Sequence, residues 1–160
     1  MRPGEAYRFR HVDGLRWRSH TGSVLARVRS ATLSGIEAAT IFVEVDVTAG
    51  LPSFTTVGLP DSTVRESRDR VRAAIRNAGF EFPIDRITVN LAPADLRKEG
   101  AAFDLPMAIG ILAATGLVKP GRLERALVMG ELSLDASVRP VRGVLPVALH
   151  ARREGFTQMT

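Results

Sequence analysis

No cysteine occurs in the 160-residue sequence, which excludes disulfides and thiolate metal sites. Histidine is scarce, and His11, His20 and His150 are too scattered for a metal site. No Gly-Lys pair is present, so the glycine-rich turn leading into Lys-Ser/Thr that cradles nucleotide phosphates is missing. No apolar run approaches the roughly 18 residues needed to span a bilayer. Arg8, Arg10, Arg16 and Arg18 interrupt the start before any secretory apolar region develops. Without a membrane or export signal, a cytoplasmic setting is the default expectation. Lysine is almost absent, with only Lys98 and Lys119 among 22 basic residues.

The length fits one domain, or one domain plus a tail. A hydrophobic share of 45% is ordinary for a globular chain able to bury a core. The net charge of +5 is unevenly placed, because residues 1–23 carry five arginines against Glu5 and Asp13. These residues have neither helical nor strand periodicity and read as a basic, disordered extension ahead of a domain spanning 24–160. Trp17 lies between Arg16 and Arg18 there, a combination suited to stacking on bases. Arginine also suits phosphate recognition in general, although whole-proteome composition produces the same excess.

Within the domain, hydrophobic periodicity marks the elements. Val24–Leu33 alternates and reads as a strand, with Gly35 as a turn. Ile36–Val47 sets Ile41, Val43, Val45 and Val47 against Phe42, Glu44 and Asp46, the pattern of a half-buried strand. Ser53–Val57 is a short strand ending at Gly58. A helix opens at Pro60-Asp61-Ser62-Thr63, where Thr63 and Glu66 stand at capping-box spacing and Asp61 or Ser62 is an alternative cap. Its apolar stripe is Val64, Val71, Ile75 and Ala78, and Gly79 ends it. Ile84–Leu91 reads as a strand. The connection after it holds Asp95, Arg97, Lys98 and Glu99, a cluster too polar for a core.

Gly100–Gly116 organises the rest. Asp104 is placed to cap a helix and Pro106 sits in its first turn. From Met107 to Ala114 the helix has no wet face, so it is expected to be buried, and Gly116 stops it. Ala126–Leu134 and Ser137–Val141 resemble a hairpin around Asp135-Ala136. Val144–Glu154 is an amphipathic helix, and Phe156 begins a further strand.

Arg65, Arg68, Arg72 and Arg76 form a second stripe on the first helix. This is a candidate grip for phosphates or a neighbouring subunit. The alternative is a solvated flank, with Glu66 pairing with Arg70 four residues on. Arg97 and Lys98, in the Pro93–Gly100 loop, are further candidate contacts.

Four runs carry a family resemblance: ARVRSATLSGIEA (Ala26–Ala38), DVTAGLPSFTTVGLPDSTVRESRDRVRAAI (Asp46–Ile75), ITVNLAPADLRKEGAAFDLPMAIGILAATG (Ile87–Gly116) and GELSLDASVRPVRGVLPVALHARREG (Gly130–Gly155). Together they resemble the amino-terminal domain of the YifB/ComM proteins, the magnesium-chelatase-like AAA+ ATPases, over about residues 24–156. The resemblance implies an α/β (α+β two-layer) fold of the ribosomal protein S5 domain 2-like type, similar to the Lon protease catalytic domain. In Lon-type proteases a serine starts the helix corresponding to the buried one here, in a run resembling D-G-P-S-A-G. The matching run is Asp104-Leu105-Pro106-Met107-Ala108-Ile109, so Met107 stands at the serine place. The partner lysine place falls on Leu145, after Gly130-Glu131 and Pro140-Val141-Arg142-Gly143-Val144. A thioether cannot attack a carbonyl and an isobutyl group cannot take a proton, so this chain is not expected to be a peptidase, and the old site is expected to have become packing.

In full-length relatives the resemblance further implies a following AAA+ module with Walker motifs, assembled as a ring. ComM members are hexameric DNA helicases that drive branch migration in natural transformation. ATP and Mg are expected only for that module, with no cofactor in this chain, which reads as an excised domain, a truncated product or a gene fragment. Two functions follow: a non-catalytic accessory domain supporting ring assembly and DNA contact, or a structural or protein-interaction module without DNA contact. A residual hydrolase using Ser133 or Ser53 lacks a base at any recognisable spacing.

Overall fold

The computed structural model describes residues 23–119, 121 and 123–160. The expected extension, with Trp17, His11 and His20, lies outside the described residues apart from Ser23, which already belongs to the first strand.

Strands β1 (Ser23–Ser34) and β2 (Glu37–Thr48) form one long antiparallel hairpin, in register from Ser23 opposite Thr48 to Ser34 opposite Glu37. β3 (Ser53–Val57) and β4 (Arg86–Ala92) pair in parallel, and β4 pairs antiparallel with β2. Two short strands, β5 (Ala126–Leu127) and β8 (Gln158–Met159), extend the other side in parallel with β1. The result is a mixed sheet of order β3-β4-β2-β1-β5-β8.

The period-two pattern decides which face is dry. Cross-strand register sets Val28 opposite Val43 and Val43 opposite Leu91, then Ala26 opposite Val45 and Val45 opposite Val89. All six are buried. On this face lie α1 (Ser62–Asn77), through Val64, Val71 and Ile75, and α2 (Asp104–Ala114), through Met107 and Ile111. No residue of α2 is exposed, as its all-apolar composition requires. Gly110 lets it lie flat, since a Cβ there would stand 2.6 Å from a methyl of Val45. Gly116 adopts the left-handed conformation that ends it.

The third helix, α3 (Val144–Arg153), covers the reverse face. Val147 and Ala151 pack on Ala31, Leu127 and Met129, and His150 Nε2 hydrogen-bonds Thr40 Oγ1 at 2.8 Å. The two-layer arrangement therefore holds for α1, α2 and the sheet, with a local third layer over β1 and β2.

The expected strand Ala126–Leu134 is divided in two. Its first part, β5, leaves to pair with Arg29 of β1, and only β6 (Glu131–Leu132) makes the hairpin with β7 (Val138–Arg139). Asp135 supports that turn by accepting from both the N–H and the hydroxyl of Ser137, which holds its carboxyl below the usual range. Periodicity could not reveal the change of partner, because it reports which residues are dry and not which strand they pair with.

Candidate functional site: a buried ion pair and a basic helix face

At the start of α2, Asp104 is wholly buried. It does not cap its own helix; the Leu105 N–H donates instead to Gly130 O at 3.0 Å. Released from capping, the carboxylate gathers three elements. Arg70 of α1 grips it bidentately, Nε to Oδ2 at 2.7 Å and Nη2 to Oδ1 at 3.1 Å. The Ser67 hydroxyl donates to Oδ1, and the Leu132 N–H in β6 donates to Oδ2 at 3.2 Å. The hydrogen bond to Asp104, set against desolvation, holds the Arg70 guanidinium above arginine's ordinary range. The expected close pairing of Glu66 with Arg70 gives way to Asp104, the less solvated partner toward which Arg70 turns, and Glu66 acts on the guanidinium only as a more distant charge.

Beyond Asp104 along α2, Met107 is 0% exposed in the main core. Leu145, on the first turn of α3, is 71% exposed. The expectation that both positions became packing holds for Met107 and is corrected for Leu145, whose helix buries Val147 and Ala151 instead. The alternative nucleophiles are no better placed. Ser133 Oγ accepts from the Arg139 guanidinium, a group that cannot act as a base, and Ser53 opens the edge strand β3.

The expected arginine stripe stands on the outer side of α1, with Arg65, Arg68, Arg72 and Arg76 all exposed. Each has a distinct local anchor. Arg65 Nη2 donates to Pro60 O at 3.3 Å, and Arg68 pairs with Asp69 at 3.2 Å. Arg72 lies over the Phe82 ring at 5.2 Å, while Arg76 sits in the last helical turn, where its charge suits the helix dipole. Asp61 is the cap, accepting from the Val64 N–H at 2.7 Å.

The neighbouring loop divides its two candidates. Arg97 stays exposed and pairs with Glu99 at 2.8 Å. Lys98 is 0% exposed, with its ammonium donating to Pro93 O. Burial pushes its pKa below the usual lysine range. Lys98 was expected on the surface because its neighbours are charged; the loop instead folds its backbone around the buried amine. Lys98 is thereby removed from any surface contact. Among the described residues, no group of three or more His, Asp or Glu converges to hold a metal ion.

The family model for ChlI, the ChlI subunit of Mg-chelatase, matches residues 43–160. The chain belongs to this family. It is 50% identical over 129 residues to the competence protein ComM of Haemophilus influenzae, covering 81% of this chain and 25% of that protein. It is 47% identical over 131 residues to YifB of Escherichia coli, covering 82% and 26%. This ChlI-family chain thus spans about a quarter of the length of these relatives. Lon protease of Chloroflexus aurantiacus is 31% identical over 125 residues, covering 72% of this chain and 15% of the protease. The α/β fold is accordingly of the S5 domain 2-like type that Lon shares.

Within the ChlI-family chain, the Asp104–Arg70 pair is the feature that sequence reasoning missed. An aspartate at the mouth of an apolar helix fits a cap and a buried ion equally well. Only the proximity of α1 and β6 separates them.

Proposed function

We propose that the chain acts as a non-catalytic domain of a magnesium-chelatase-like AAA+ ATPase, supporting assembly of a homo-oligomeric, hexameric ring and contacting DNA through the outer face of α1. In this reading the work of the assembly is DNA processing in the cytoplasm, branch migration during transformation in ComM-type members. ATP and Mg serve the ATPase module and not these residues, and no membrane is involved. The observation that carries the reading is the α1 face. Four exposed guanidinium groups project from one helix whose neighbouring stripe is locked into the core and whose Arg70 is tied to Asp104. A rigid row of guanidinium groups is suited to phosphate contact.

Salt-dependent binding to duplex DNA tests it. Replacing Arg72 and Arg76 by Gln keeps the aliphatic stems over the surface while removing two phosphate contacts. The slope of log affinity against log salt should then become shallower by roughly 2. An unchanged slope and affinity would remove the stripe from the site. One observation favours the second reading, a protein-interaction module without DNA contact: Arg68 is already neutralised by Asp69. Absence of any DNA affinity in the unmodified protein would select it.

A further inference from the structure

β3 is the last strand on its side of the sheet, and no described residue pairs with its outer side. The backbone groups there can be placed one by one. The Ser53 N–H donates to Asp85 O at 3.5 Å, which sets the parallel ladder so that Ser53, Thr55 and Val57 bond to β4. The N–H and C=O groups of Phe54 and Thr56 therefore point away from β4, to the open edge. Edges are ordinarily protected by a charge, a proline or a bulge. The run SFTTV contains neither charge nor proline, and its register with β4 is unbroken. Such an edge can take on a further strand.

The flanks of the edge select which strand. α2 lies over β1 and β2, where Gly110 meets Val28 and Val45, and α1 lies beside it, joined through Arg70 and Asp104. This sets α1 toward β4 and β3. At 3.6 residues per turn, Arg68 and Arg72 stand about 160° around the helix from Arg70, on the flank away from α2 and toward the β3 edge. Two contacts hold that flank in place. Arg65 donates to Pro60 O, just beyond the end of β3, and Arg72 lies over Phe82, in the connection leading to β4. Arginines four residues apart rise about 6 Å along α1, and alternate residues of a strand about 6.6 Å, so the two rows keep step. The Arg68–Asp69 pair is exposed at both ends and weak enough to be exchanged. On the reverse side of the sheet the edge offers Thr55 and Val57, both uncharged and exposed.

We propose that β3 is a docking edge for an extended acidic segment of a partner protein, which pairs in β fashion with Phe54 and Thr56 and directs alternate carboxylates to Arg65, Arg68 and Arg72. Its other side chains, which face Thr55 and Val57, are β-branched or apolar. The proposal goes beyond the DNA contact above: the guanidinium row is common to both, but only a peptide can use the backbone of β3.

Fluorescence anisotropy of the 160-residue protein with a labelled peptide of alternating Glu and Val, about eight residues long, tests it. Saturable binding that weakens with salt is expected. Of the two sets of alternate peptide nitrogens, methylating one should weaken binding about tenfold or more and methylating the other should not, because only one set faces β3. Thr56→Pro removes an outward N–H that the ladder does not use and should weaken binding by a similar factor at little cost in melting temperature. If that variant unfolds, the methylated peptides decide. Arg68→Gln/Arg72→Gln should weaken binding and flatten its salt dependence. A peptide that does not bind, that binds equally with either set methylated, or that binds folded Thr56→Pro protein unchanged would overturn the proposal. DNA affinity without peptide affinity would overturn it and leave the DNA reading standing; peptide affinity without DNA affinity would do the reverse.

Discussion

Replacing Asp104 by Ala should be among the most destabilising single changes in this protein, and the structure sets its size. The substitution removes a bidentate ion pair to Arg70, the acceptor of the Ser67 hydroxyl and the acceptor of the Leu132 N–H. Breaking a buried pair by deleting one partner costs about 3–5 kcal/mol. Arg70 keeps 24% of its side chain exposed, so it can recover some hydration, and about 3 kcal/mol is expected for Asp104→Ala. Arg70→Ala should cost more, because it strands a carboxylate whose side chain is 0% exposed. The double replacement Asp104→Ala/Arg70→Ala should cost far less than the sum, since neither charge is then left buried without its partner. Urea unfolding of the four proteins, with equal m-values required, gives the cycle. A cost below about 1 kcal/mol for Asp104→Ala, or additive single effects, would refute the account of Asp104 as the tie between α1, α2 and β6.

Two further outcomes follow from the same geometry. Lys98 is held below the ordinary lysine value of 10.5 by burial, so the unfolded chain binds the proton more tightly than the folded one. The stability of the unmodified protein relative to Lys98→Met should therefore rise with pH as 10.5 is approached; a difference that is flat or falls with alkaline pH in denaturant titrations would contradict it. Reinstalling the dyad as Met107→Ser/Leu145→Lys should give no peptide turnover, because position 107 is closed in the core and position 145 faces solvent. Met107→Ser should also lower stability by about 2–5 kcal/mol through a cavity and a buried hydroxyl. Hydrolysis of a fluorogenic peptide by the double variant would show that the two positions still converge.

Much of the architecture is encoded locally. The alternation in Ile41–Val47 and Ile87–Leu91 predicts the strands whose inward residues fill the core, because period two is a backbone property that any neighbour must respect. The apolar continuity of Met107–Ala114 likewise predicts a helix packed all round. The arginine stripe of α1 was legible for the same reason, as 3.6-residue periodicity puts Arg65, Arg68, Arg72 and Arg76 on one side. The candidate site was less legible where a polar residue had two physically acceptable destinations. Asp104 had a cap or a buried partner, Arg70 had Glu66 or Asp104, and Lys98 had water or the carbonyl of Pro93.

By itself, then, the sequence determined most of the elements, the dry face of the sheet and the family membership, since these depend on residue type, spacing and local periodicity. Tertiary structure alone decided where the charges go. It turned Asp104 and Arg70 toward each other and enclosed Lys98. A charge's destination depends on which desolvated partner lies within hydrogen-bonding distance, and that distance exists only once segments remote in the chain have packed together.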